Sequence, residues 1–106
     1  GYSGIVKLLC EHGADVHAKN GKDGDGNSLR LAALKGNNNI IDTLITHGAD
    51  VHAKNNNGST ALLFAAYNGH NATIDHLVSR HGADVHAKRS DGSTALLLAA
   101  YNGHNA

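Results

Sequence analysis

Residues 58–72 read GSTALLFAAYNGHNA, and residues 92–106 repeat that string with a single change, as GSTALLLAAYNGHNA. A second string, HGADVHAK, occurs three times, at residues 12–19, 47–54 and 81–88. The first string recurs after 34 residues, and the second recurs after 35 and then after 34. Two independent strings that share one period indicate a tandem array, in which each unit packs against the next.

One unit, residues 55–88, has the pattern of two short helices separated by turns. Thr60 is a good N-cap for a first helix over 61–67, because its hydroxyl can accept a hydrogen bond from a free backbone N–H. A second helix is predicted over 72–80, and glycines follow both helices. The residues predicted to face the core are Leu62, Ala65 and Ala66 in the first helix, and Ile74, Leu77 and Val78 in the second.

The combined pattern resembles the ankyrin repeat. The residues that match the first half of that repeat are Gly58, Thr60, Leu62, Ala65, Ala66, Gly69 and His70. The residues that match its second half, in an earlier copy, are Ile5, Val6, Leu8, Leu9, Gly13, Ala14, Asp15, Val16 and Ala18. The resemblance covers all 106 residues. It implies an all-α solenoid of stacked helix-turn-helix units joined by β-hairpin-like loops.

The repeat register divides residues 1–106 into four parts of a single array. The parts are a partial repeat at 1–19 (second helix and hairpin arm), a full repeat with a lengthened loop at 20–54, a full repeat at 55–88 and a partial repeat (first helix) at 89–106. A one-residue insertion near Arg80 sets the spacing in the third repeat. Because the chain starts and stops between the two helices of a repeat, we expect it to be a fragment of a longer array.

The chain departs from the family pattern at the start of the first helices. It has no proline, and Ser28, Ala61 and Ala95 stand where the family opens this helix with proline. Arg30, Leu63 and Leu97 replace a histidine that braces the hairpins in the family. The resemblance therefore implies that other residues provide the bracing here. In the second repeat Asn27 takes the place of the capping threonine.

Composition argues against several classes of function. Nine Lys and Arg balance nine Asp and Glu, so net charge does not favour a nucleic-acid partner or an anionic membrane. The longest apolar run, 61–67, is far too short to cross a bilayer. The single cysteine, Cys10, cannot form an internal disulfide, which favours a reducing, cytoplasmic or otherwise intracellular location. We expect Cys10 to be a packed core residue.

Three histidine pairs recur with the array, at 12/17, 47/52 and 81/86. Stacked repeats would separate equivalent histidines by about 8–10 Å, which makes a ladder rather than a metal cage. We expect the first member of each pair near a helix C-terminus and the second in an exposed hairpin. A pH-responsive role and a metal site are the alternatives. Residues 23–27 resemble the start of a calcium loop, but Ser28 and Leu34 occupy the positions that need Gly and Glu.

No arrangement of residues predicts catalysis, a cofactor, a metal ion or a small-molecule substrate. The resemblance implies a protein-interaction module, in which hairpin tips and first helices contact a protein partner. Tyrosine suits such a surface because it offers a rigid, amphipathic contact area. The predicted partner-binding residues are Asn56, Asn57, Ser59, Tyr67, Asn68, Ser90, Asp91, Ser93, Tyr101 and Asn102.

Two alternatives accompany this prediction. The tyrosines could instead stack on neighbouring repeats, in which case they would be packing residues. The chain could also be a structural array or spacer that associates with itself through uncapped ends. Leu62 and Leu96 are predicted to lie in the core, and so serve as references for the surface residues.

Overall fold

The structure is a computed structural model that describes residues 1–19 and 27–103, which contain helices and turns. The helices are α1 (Tyr2–Glu11), α2 (Ser28–Lys35), α3 (Asn38–Thr46), α4 (Ala61–Tyr67), α5 (Asn71–His81) and α6 (Ala95–Asn102). The predicted helix over 61–67 is confirmed, and the predicted helix over 72–80 extends by one residue at each end. Across these two described ranges, every helix is too short or too polar to span a membrane.

The helices form two layers. In one layer α2 packs against α4, and α4 packs against α6; in the other, α1 packs against α3. The hairpins α2–α3 and α4–α5 connect the layers. Predicted core residues lie between them: Leu62, Ala65, Ala66 and Leu77 are buried, and Ile74 and Val78 pack against them half-buried. Cys10 is also buried, as expected.

Each of the three first helices, α2, α4 and α6, begins with a side-chain cap. Oγ1 of Thr60 accepts a hydrogen bond from the N–H of Leu63 at 3.4 Å, and Thr94 caps α6 in the same way. In α2 the cap is Asn27, whose Oδ1 accepts from the N–H of Arg30 at 2.9 Å. Asparagine therefore replaces threonine without loss of the cap. Each cap contributes about 1 kcal/mol to stability.

Two hairpin-like loops, 55–59 and 89–93, precede α4 and α6. The N–H of residue 55 donates to the carbonyl of Ser59 at 3.0 Å, and the N–H of Arg89 donates to that of Ser93 at 2.9 Å. A further bond at 2.8 Å, from the N–H of Ser90 to the carbonyl of Asn57, joins the two loops directly. The lengthened loop of the second repeat, and the resemblance to a calcium loop at 23–27, fall almost wholly on residues 20–26, outside the described ranges.

The prediction that Leu96 lies in the core is wrong. Its side chain is 78% exposed, whereas the equivalent Leu62 is 1% exposed. Among the described helices, α4 packs against α2, α5 and α6, whereas the main partner of α6 is α4. The described helices therefore cover Leu62 but leave Leu96 exposed.

Candidate functional site

The hairpin loops and the first helices enclose a groove made of two adjoining clefts. The smaller cleft, of about 250 Å³, lies between the loop at 55–59 and α4. The larger, of about 690 Å³, lies between the loop at 89–93 and α6. Three residues line both clefts: Tyr67, Arg89 and Leu98. Of the predicted site residues, the smaller cleft adds Asn57 and Ser59, and the larger adds Asp91, Ser93, Tyr101 and Asn102.

Two tyrosines stand on the walls of this groove. Tyr67 is the last residue of α4 and is 50% exposed, and Tyr101 in α6 is 91% exposed. Leu98, which is buried, lies against both clefts and gives the groove an apolar floor. The groove thus combines accessible aromatic rings with apolar surface, the composition that marks the anchors of protein interfaces.

Arg89 adds a positive charge to the groove. It is half-buried, and its Nε atom is buried without a hydrogen-bond partner among residues 1–19 and 27–103. Asp91 lies nearby and is exposed, and its Oδ1 accepts from the N–H of Ser93 at 2.9 Å. The Ser93 N–H and then the Ser93 hydroxyl hold the pKa of Asp91 below its usual range, and the charge of Arg89 adds to this effect.

Arg89 was not among the predicted site residues, although a comparison of equivalent positions in the two loops indicates that its side chain is free to face the groove. The equivalent position in the preceding copy is Asn55, whose buried side chain folds its own loop: Oδ1 accepts from the N–H of Asn57 at 2.9 Å and from that of Ser59 at 2.8 Å. In the later loop Asp91 accepts the equivalent bond from Ser93. Residue 89 therefore does not have to accept the hydrogen bonds that fold its loop, and an arginine at this position can face the groove.

Asn68 and Asn102, both predicted to bind a partner, form bonds between repeats. Nδ2 of Asn68 donates to the carbonyl of Leu34 at 3.0 Å, and Nδ2 of Asn102 donates to that of Tyr67 at 3.4 Å. His70 Nε2 also contacts the Leu34 carbonyl, at 2.7 Å, and donates to it because a carbonyl only accepts. These side chains satisfy carbonyls near helix C-termini. They join the C-terminal ends of neighbouring first helices.

The other predicted residues occupy the loops. Asn56, Asn57 and Ser90 are exposed. Ser59 is only 6% exposed and lies within the folded loop, with its N–H bound to Asn55, although it still lines the smaller cleft. The groove therefore collects Tyr67, Tyr101 and the loop residues around Arg89, and the role of Ser59 and Asn68 in binding stays a prediction.

A separate polar cluster connects the second helices of two adjacent repeats. Asp42 of α3 accepts on a single oxygen, Oδ1, from His76 Nε2 at 2.6 Å and from His81 Nε2 at 2.7 Å, both in α5. A carboxylate only accepts, so both rings carry a proton on Nε2. The two ring centroids lie 5.3 Å apart in an edge-on arrangement. Burial opposes ionisation of Asp42, but the hydrogen bonds from His81 and His76, together with their charges, hold its pKa below the usual range.

The inserted residue near Arg80 explains why the histidine pairs did not reveal this cluster. His47 follows α3 as its C-cap, whereas the insertion lengthens α5 so that His81 becomes its last helical residue. The prediction that these histidines lie near helix C-termini is confirmed, and His52 and His86 lie exposed in turns, also as predicted. His76 belongs to no repeated pair, so the periodic pattern gave no signal for it.

Models of a known protein family match most of the chain. A model of ankyrin repeats in three copies matches residues 29–106, and a model of a single ankyrin repeat matches residues 1–21. No curated protein matches the chain.

Proposed function

The chain belongs to the ankyrin-repeat family, and we propose that it binds a protein partner in the groove between its hairpin loops and its first helices. Ankyrin repeats are generally protein–protein interaction modules, and the family is typically non-enzymatic. The observation that carries the proposal is the pair of accessible tyrosines, Tyr67 and Tyr101, on either side of the apolar floor at Leu98.

The groove favours a partner segment with an apolar side chain flanked by polar groups. The apolar side chain would lie on Leu98 between the tyrosine rings. Arg89 and Asp91 carry opposite charges at the same end, so each can pair with an opposite charge on the partner. The polar tip of each tyrosine can donate a hydrogen bond while its ring packs.

The surrounding features agree with such a module. We also propose that the array divides into four parts, at 1–19, 20–54, 55–88 and 89–106, and the packing of α2 against α4 and of α4 against α6 supports this division. Cys10 is a free, buried thiol, which suits a reducing intracellular compartment.

Site-specific photo-crosslinking tests the proposal. A photoreactive benzoylphenylalanine would replace Tyr67 in one variant and Tyr101 in another. The matched control carries the probe at Ser79, which is exposed on α5 in the other layer. We expect one protein to be cross-linked from both tyrosine positions and not from Ser79. Equal cross-linking from all three positions would contradict the assignment of the groove.

Self-association is a second candidate, supported by apolar side chains on the two outermost helices. Ile5, Leu8 and Leu9 of α1, and Leu96 and Leu97 of α6, are more than half exposed. Leu97 also lines the larger cleft of the groove, but the other four residues lie outside both clefts, so the two candidates can be separated at those four. A mass in solution well above 11.0 kDa, measured by light scattering, would support association, and a monomer would exclude it.

A further inference from the structure

The cluster of Asp42, His76 and His81 is set apart from the groove. It lies on α3 and α5, in the layer opposite the first helices, and contains no predicted partner-binding residue. All three side chains are half-buried, and each offers one ligand atom within 4.8 Å of the others. Two imidazole nitrogens and one carboxylate oxygen form a donor set typical of divalent transition metals.

We propose that Asp42, His76 and His81 form a Zn²⁺ site that links the second helices of two adjacent repeats. Zinc binds His nitrogen and Asp oxygen, and a site with three protein ligands leaves a fourth position for water. The Asp42 side chain is 35% exposed, so water can reach that position. The proposal is independent of the partner-binding groove.

The geometry requires only a small adjustment. With zinc about 2.1 Å from each ligand, tetrahedral coordination places the ligand atoms about 3.4 Å apart. The two oxygen–nitrogen distances, 2.6 and 2.7 Å, must therefore open by about 0.7–0.8 Å to admit the ion. Rotation of the partly exposed Asp42 side chain can supply this movement. Each neutral imidazole then carries its proton on Nδ1, while Nε2 faces the metal.

The arrangement is specific to one pair of repeats. Between α1 and α3, the repeat register replaces Asp42 by Lys7 and His76 by Thr43. A lysine at the carboxylate position would repel a cation, and threonine provides no imidazole. Binding to the chain should therefore show one strong site, even though the sequence contains nine histidines.

Zinc binding should stabilise the fold, because the ligands come together only in the folded chain. At a free Zn²⁺ concentration one hundred times the dissociation constant, we expect the melting temperature to rise by about 10 °C or more. Calorimetric titration of the 106-residue chain with Zn²⁺ should give a stoichiometry near one for the strong site.

Variants locate the site. His76→Gln, His81→Gln and Asp42→Asn each remove one ligand while keeping a polar side chain that can stay hydrogen-bonded. We expect each to weaken Zn²⁺ binding at least tenfold and to lose the thermal stabilisation. The matched control is His86→Gln, at an exposed position five residues beyond His81, and it should bind like the unmodified chain.

Co²⁺ provides a spectroscopic check. A Co²⁺ complex at this site should show the visible absorption bands that are typical of cobalt with a low coordination number. It should lack the sulfur-to-cobalt charge-transfer band that coordination by Cys10 would give. Absence of a strong site in the unmodified chain would overturn the proposal. It would also be overturned if the three ligand variants bound Zn²⁺ as tightly as His86→Gln, or if a sulfur band appeared.

Discussion

Gly58 shows at the scale of one residue how the repeats hold each other in register. Its φ is 79°, a conformation that favours glycine, and a Cβ there would lie 3.2 Å from the carbonyl oxygen of Lys88 and the nitrogen of Ser90. The neighbouring loop thus approaches the backbone where a side chain would stand. Gly92 has a similar φ of 86°, but a Cβ at that position meets open space.

These two glycines give a matched pair of substitutions. Gly58→Ala and Gly92→Ala should each lose about 1 kcal/mol of folding free energy to backbone strain, and Gly58→Ala should lose a further amount because the loops must separate. Denaturant unfolding measures both. Equal losses would mean that the contact between loops contributes nothing.

Leu62 and Leu96 form a second pair, because they occupy equivalent positions in the repeat but differ in how far their side chains are exposed. Leu62→Ala should cost about 2–5 kcal/mol of stability, because it leaves a cavity in the core. Leu96→Ala should change stability by less than about 0.5 kcal/mol, since the side chain is largely exposed. Thermal unfolding of both variants checks this, and similar losses would show that α6 is covered in solution.

At the scale of the helices, polar side chains join the C-terminal ends of neighbouring first helices. The Leu34 carbonyl at the end of α2 accepts from both Asn68 and His70, which tie it to the end of α4. The bond from Asn102 to Tyr67 repeats this connection between α4 and α6. Neighbouring first helices are thus fixed by side chains at one end as well as by their apolar contacts.

A double-mutant cycle on this bracing gives a quantitative test. Asn68→Ala should cost about 1 kcal/mol, and His70→Ala a similar amount, because each removes a half-buried hydrogen bond. The pair should cost more than the sum, since the Leu34 carbonyl is then left without either donor. Asn102→Ala, at an exposed and longer bond, is the control and should cost less. A strictly additive result would indicate that water replaces both donors.

The sequence predicted α4 and α5 well, because the repeated strings contain the cap of α4 and the turns that follow both helices. Ser28, Ala61 and Ala95, the positions aligned with the family's proline, are the first residues of α2, α4 and α6. The positions of Tyr67 and Tyr101 within their helices also followed from the register. Their use as binding residues remains a prediction.

Other features could not be predicted, because they depend on contacts between repeats that do not recur. The repeat pattern treats Leu62 and Leu96 alike, although the side chain of Leu62 is 1% exposed and that of Leu96 is 78% exposed. It likewise gives no sign that His76 and His81 reach Asp42 in the adjacent repeat. His76 belongs to no repeated pair, and His81 joins α5 because of one inserted residue.

At the scale of the whole molecule, stability is a sum of the repeats and the interfaces between them. Leu96 of α6, which is 78% exposed, is therefore interface area that contributes little to folding in this chain. Appending a designed second helix after α6, with an apolar face toward Leu96, should raise the melting temperature by several degrees. A matched chain in which that helix has a polar face should melt like the unmodified protein. Equal melting of both extended chains would contradict the account of α6.

We propose that the groove, through its tyrosines, binds a protein partner. The most direct test is the dissociation constant of the cross-linked partner, measured by calorimetry with the unmodified chain, Tyr67→Ala, Tyr101→Ala and Ser79→Ala. We predict that each tyrosine variant binds about tenfold more weakly or worse, because truncating an aromatic anchor costs about 2 kcal/mol, while its melting temperature stays nearly unchanged. Ser79→Ala should bind normally. Unchanged affinity of both tyrosine variants, or a loss of folding as severe as that of Leu62→Ala, would show that the tyrosines are packing residues and that the groove is not the binding surface.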